Sequence, residues 1–275
     1  MEKTGQMYEK FLDEYVSEDA VRKYTTEAAG YGITYLLSND YARIYLDVVN
    51  SCLHPSKARP LRLLEFGCGG GMNIIRLVAL LEEKKIPVER AFGTDFSPRL
   101  VQAAGEEAKA CLPQHLAKKV SFHVARNEQL AQDLAAGLAE DDHREGTFDM
   151  IVGVNTFRYC HRLDKELDCA QDIFRLLRPG GVCVNIDMNN RFPAFRSRLR
   201  GSDQDPEECY LPSLEEYASP FENAGFEIIA KKNFCWIPHS AGRALTFTCR
   251  LMSPALNLIA RSRAMRSLVV ARKPV

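Results

Sequence analysis

Glu65, Gly67, Gly69 and Gly71 occupy alternate positions in LEFGCGGG (64–71), directly behind an apolar run. Glycine lets a backbone enter left-handed conformations and approach a ligand with no Cβ in the way. At the carboxyl end of a strand, such a turn aims amide groups and a helix N-terminus at a bound molecule. A phosphate loop is excluded, because no Gly-Lys-Ser/Thr follows. A dinucleotide fingerprint would need its third glycine at position 72, which is Met72. The carboxylate of Glu65 would serve a pyrophosphate poorly. It suits an ammonium group, such as that of the methionine moiety of S-adenosylmethionine.

The elements that must position this turn alternate regularly. RLLEF (62–66) reads as a strand, with a helix over 73–83 behind it. RAFGTD (90–95) precedes a helix over 98–111, and VSFHVA (120–125) precedes one over 128–138. FDMIVGV (148–154) is followed by Leu167, Ala170, Phe174 and Leu177 at helical spacing, a helix that RPGG (178–181) is expected to stop. VCVNIDM (182–188) is the fifth strand. SLEE (213–216) has the form of a capping box, and Pro220 is expected to kink or shorten the helix it opens. FEIIAKK (226–232) and RSLVVARK (266–273) read as closing strands. This alternation implies an α/β fold with a mostly parallel sheet covered on both faces.

At this point the chain resembles the class I S-adenosylmethionine-dependent methyltransferases, in particular the type-11-like group that includes ubiquinone and menaquinone biosynthetic enzymes. The resemblance rests on the glycine turn and on GTDFS (93–97), ARNEQL (125–130), the passage from FDMIV into NTFRY (155–159), LLRPGG (176–181) and the final strand pair. It spans roughly 60–190 and 212–274. It implies a Rossmann-like seven-stranded sheet with helices on both faces, an antiparallel last strand and helical cap insertions. One domain is expected, with a helical lid over 1–58, a cofactor-binding core over 59–190 and cap insertions over 191–211 and 233–265. The closing helix and strands would be 212–232 and 266–275. By resemblance the cofactor is S-adenosyl-L-methionine, contacted by Glu65, Gly67, Cys68, Gly69, Gly71 and Asn73. Asp95 would grip the ribose hydroxyls, with Phe96 against the adenine and Arg126, Asn127 or Glu128 near its amino group. Asn155, Thr156 and Tyr159 would border the transferring methyl, His161 would be a proton acceptor, and Tyr24 and Tyr31 would belong to the lid. The assigned catalytic pair is His161 and Tyr159.

Plainer roles compete at several positions. Asp95 and Ser97 both suit N-capping of the next helix, Asn127 suits capping of the third, and His161 suits a solvent-facing loop. Asp187 and His239 are further base candidates. RFPAFRSRLR (191–200) fits a solvated amphipathic turn or a cap contacting an anionic or aromatic substrate. CRLMSPALNLIARSRAMR (249–266) reads as a core-covering helix in preference to a membrane contact.

Composition narrows the partners. Lys+Arg and Asp+Glu both number 36, so there is no global basic field to attract nucleic acid. Nine cysteines, an odd number with no CxxC pair, read as free thiols in a reducing, cytoplasmic setting, with no disulfide frame and no metal site. No stretch is apolar enough to span a membrane. The expected activity is methyl transfer to a small molecule. A nucleic-acid methyltransferase and a binding module without turnover are the alternatives. The acceptor atom and the oligomeric state are left open.

Overall fold

The computed structural model describes residues 40–55, 59–137, 145–193, 211–237 and 243–275. Tyr24, Tyr31 and His239, and most of the lid and of 191–211, lie outside the described residues.

Seven strands form one sheet: β1 (Leu61–Phe66), β2 (Val88–Asp95), β3 (Val120–Val124), β4 (Phe148–Val154), β5 (Leu177–Met188), β6 (Glu227–Phe234) and β7 (Arg266–Arg272). Their order is β3-β2-β1-β4-β5-β7-β6. Pairing is parallel from β3 through β5, and β7 runs antiparallel to both of its neighbours. The expected Rossmann-like architecture is therefore what the chain forms. β4 is buried along its whole length, as a strand covered on both faces must be.

One face carries α1 (Asp40–Val48), α2 (Met72–Glu83), α3 (Pro98–Cys111) and the short α4 (Gln114–Ala117). Their apolar side chains, including Tyr45, Ile74 and Leu77, pack on Leu63, Met150 and Val184. The other face carries α5 (Leu130–Gly137), α6 (Phe157–Arg162), α7 (Glu166–Leu176) and α8 (Leu214–Asn223). There Phe157 stacks on Phe221, with centroids 4.9 Å apart, and meets Phe66 edge-on, in a cluster that also holds Tyr217. β1 lies between β2 and β4, so the strand order reverses beside it. Ligands of open α/β sheets sit in the crevice at such a switch point.

RPGG stops α7 as expected, the helix ending at Leu176, and then joins β5 as an irregular start: the Gly180 N–H donates to the Lys273 carbonyl, and the Lys273 N–H to Gly181 (both 2.9 Å). Two expectations change. Pro220 does not break its helix. α8 runs through it because the Ser213 capping box fixes the first turn and Tyr217, Ala218 and Phe221 bury the face around it. That burial outweighs one missing N–H. The helix between the closing strands, α9 (Arg243–Ala260), meets the core only along a narrow side, where Cys249 packs against it. Phe247, Leu251, Leu258 and Ile259 on it face outward.

Candidate active site

The turn after β1 needs its glycines. Gly67, Gly69 and Gly71 have φ of +59°, +53° and +78°, the left-handed region that other residues avoid. A Cβ on Gly67 would lie 1.9 Å from Thr156 Oγ1, whereas one on Gly69 would meet nothing within 4 Å. The turn is thus pressed against the β4 loop at one end and opens into space in its middle. Gly71 and Gly93 both lie close against the Phe122 ring, which supports the turn from β3. Phe122 had no sequence signal as part of the site; Gly93, inside an otherwise bulky strand, was the available hint.

Asp95, ending β2, latches the turn. Its Oδ2 accepts the Gly69 N–H at 2.9 Å and its Oδ1 accepts the Ser97 N–H at 3.0 Å. Burial raises its pKa, and these two N–H groups oppose that rise. Each oxygen retains a further lone pair for a ligand hydroxyl. Capping of α3 falls to Ser97, whose hydroxyl oxygen accepts the Leu100 N–H. Asp95 is therefore not the helix cap.

Glu65 lies at the start of α2, where Gly71, the N-cap, has no side chain to offer. Its carboxylate accepts the Ile74 N–H at 2.9 Å and thereby caps that helix from the neighbouring strand. The Glu65 carboxyl is 1% exposed. Burial pushes its pKa from 4.5 to about 8, against the opposing hydrogen bonds from Asn73 and Ile74. Asn73 is itself buried, and its Oδ1 has no hydrogen-bond partner. A buried acceptor without a donor, next to a buried carboxyl, fits an incoming ammonium group. Cys68 is a protonated thiol, its pKa raised well above the usual value by burial and by Asp95 and Glu65. It offers a small side chain and its backbone, not a nucleophile.

The β3 and β4 loops meet across the crevice. The Asn127 amide donates to Thr156 Oγ1 at 2.7 Å and does not cap the third helix. Arg126 turns towards α5, where it pairs with Asp133 and Gln129. Phe96 is half-buried beside Asp95. Asn155, with φ +58°, takes a hydrogen bond from Arg266, a wholly buried arginine opening β7. No sequence pattern distinguishes Arg266 from an ordinary strand boundary. Asp187 is buried beside Arg158, whose backbone N–H it accepts at 3.0 Å. The Arg158 guanidinium carbon lies over the Tyr159 ring, 4.6 Å from the ring centroid.

His161 is not in a solvent-facing loop. It lies on α6, edge-on to Phe157 and Tyr217 at 5.4 and 5.7 Å, with Nδ1 3.9 Å from Glu166. Burial lowers its pKa to about 4, so the ring is neutral at neutral pH. The structure brings together Glu65, Gly67, Cys68, Gly69, Gly71, Asn73, Asp95, Asn127 and Thr156. Arg126 instead pairs with Asp133, and His161 packs edge-on to Phe157 and Tyr217.

A seven-stranded sheet of this order, with a glycine turn at its switch point and a carboxylate ending the adjacent strand, defines a class I S-adenosylmethionine-dependent methyltransferase. The chain belongs to the methyltransferase domain family, whose model matches residues 37–231. It is 33% identical over 140 residues to the non-reducing polyketide synthase tazA of Aspergillus terreus, a match covering 50% of this chain and only 5% of that synthase. Its fold is similar to that of the citrinin polyketide synthase CMeT domain, with TM-score 0.53, 18% identity and coverage of 85% of this chain and 52% of that one. It is also similar to that of Haemonchus contortus phosphoethanolamine N-methyltransferase 2 in complex with S-adenosyl-L-methionine. There the TM-score is 0.56 and the identity 16%, over 97% of this chain and 60% of that one.

Proposed function

We propose that this chain transfers a methyl group from S-adenosylmethionine to a small-molecule acceptor. The observation that carries the reading is the latch between the two halves of the crevice, Asp95 Oδ2 to the Gly69 N–H at 2.9 Å. It sets a hydroxyl-binding carboxylate against a turn built for close backbone approach. That donor supplies a methyl on a sulfonium, which an acceptor lone pair takes in line while sulfur keeps the bonding electrons.

The chain's own residues supply binding and position. Glu65, once ionised, and Asn73 Oδ1 hold the ammonium end. The backbone of Gly67, Cys68, Gly69 and Gly71 lines the amino-acid portion. Asp95 takes the ribose hydroxyls, with Phe96 against the adenine. Asn127 and Thr156 keep the β3 and β4 loops closed on each other, and Asn155 and Tyr159 border the acceptor side. His161, neutral and edge-on to Phe157 and Tyr217, holds α6 against α8. The thiols suit a reducing compartment, all eight described cysteines being free.

The polyketide synthase relatives make acyl chains of polyketide type the first acceptors to try. Incubating the full chain with methyl-labelled donor and such acyl thioesters, alongside a metabolite extract, should yield a labelled small-molecule product by mass spectrometry. Donor binding without any labelled product would favour a binding module. Label in RNA or DNA alone would favour the nucleic-acid reading.

A further inference from the structure

α9 is amphipathic with its apolar face turned the wrong way for a core helix. Around the helix, at about 100° per residue, the half-buried positions Thr246, Cys249, Ser253, Leu256 and Ala260 form a narrow inward arc. The opposite arc, about 160° wide, carries Leu245, Phe247, Leu251, Met252, Leu258 and Ile259. Phe247, Leu251, Leu258 and Ile259 are 69, 71, 87 and 77% exposed. An apolar surface of this size on a water-soluble protein marks an interaction face.

The charge around that face indicates what covers it. From residue 228 to the C-terminus there are nine Lys and Arg and no acidic residue, in a chain whose formal net charge is zero. Arg250 flanks the apolar arc, and Arg261 and Arg263 follow the helix end, all three exposed. The helix has 18 residues, yet none of the described helices is long and apolar enough to cross a membrane. Apolar side chains over one face with arginines at the margin and the end suit a helix lying in an anionic bilayer surface. RNA would use the arginines and leave the apolar arc bare.

We propose that α9 is a peripheral attachment site for anionic membrane surfaces. The inference rests on this helix and not on the methyl-transfer reading. α9 leaves β6 and re-enters β7 at the sheet edge where Arg266 meets Asn155, so attachment would bring the crevice edge near the lipid.

The test is flotation of the full chain with vesicles of phosphatidylcholine containing about 30% phosphatidylserine, and with phosphatidylcholine alone. Binding should favour the anionic vesicles by about tenfold and weaken with added salt. Phe247→Glu with Leu251→Glu should lower affinity by more than about tenfold, with the thermal midpoint unchanged because both side chains lie outside the core. Leu258→Ser with Ile259→Ser provides a milder second variant expected to act in the same direction. Absence of binding to anionic vesicles, or equal binding by both variants, overturns the proposal. So does a wild-type dimer that the variants dissociate, which would make a second copy the occupant. Retention on RNA without vesicle binding, or a collapse of the thermal midpoint in both variants, overturns it as well.

Discussion

Donor affinity should depend on the ionisation of Glu65. The carboxyl is protonated below about pH 8 in the free protein, yet only the carboxylate attracts an ammonium group. Between pH 6 and pH 8 the dissociation constant for S-adenosylmethionine, or for its demethylated product, should therefore fall by up to about tenfold per pH unit. Above about pH 8 the ligand's own α-amino group loses its proton, and the curve should turn over. The fold responds with the opposite sign. A rise from 4.5 to about 8 corresponds to ~5 kcal/mol of stability that is full below pH 4.5 and lost as pH rises to 8. Glu65→Gln keeps an acceptor for the Ile74 N–H and removes the charge. It should raise the melting temperature at pH 8, leave it nearly unchanged at pH 5, and flatten the pH dependence of binding. Calorimetric titration across pH 6–8.5, with melting curves at pH 5 and 8, would check both signs. A wild-type affinity independent of pH, or a Glu65→Gln variant that titrates like the wild type, would refute the reasoning.

Asp95→Asn preserves an acceptor for a backbone N–H and should weaken donor binding by about 10- to 100-fold with the fold retained, as measured by calorimetry. Asp95→Ala also strips the acceptors of the Gly69 and Ser97 N–H groups and should lower the melting temperature too. Gly67→Ala must bear both a positive φ and a clash with Thr156, costing about 2–4 kcal/mol in urea denaturation; a loss under about 0.5 kcal/mol would contradict the close approach. His161, with its folded pKa near 4 against 6.5 unfolded, contributes stability that is full above pH 6.5 and falls by ~3 kcal/mol towards pH 4. His161→Phe should remove that acid-side loss while keeping methyl transfer, read from denaturation midpoints at pH 7 and 4.5 alongside turnover.

The sheet was legible because its signals are local. Apolar runs separated by helical periodicity placed β1 to β5 within one to three residues at most ends, and Ser213 and Ser97 marked their helix starts. RPGG marked the end of α7 correctly, but not that β5 begins there, because pairing with Lys273, almost a hundred residues away, decides that. The glycine turn, Glu65 and Asp95 were visible from residue type and spacing alone. Arg266 on Asn155 and Phe122 under the turn were not, since both depend on strand neighbours far apart in the chain. His161 differs because which side of the sheet a loop residue joins depends on the packing of α6 and α8. For α9, periodicity revealed an apolar face but carried no information on whether that face points inward.

The most direct measurement is a crystal structure of the chain grown with the demethylated donor, S-adenosylhomocysteine. The account predicts its amino-acid end along Gly67 to Gly71 beside Glu65 and Asn73, and its ribose hydroxyls on Asp95. The same molecule bound elsewhere, or a crevice that admits none at millimolar concentration, would contradict it.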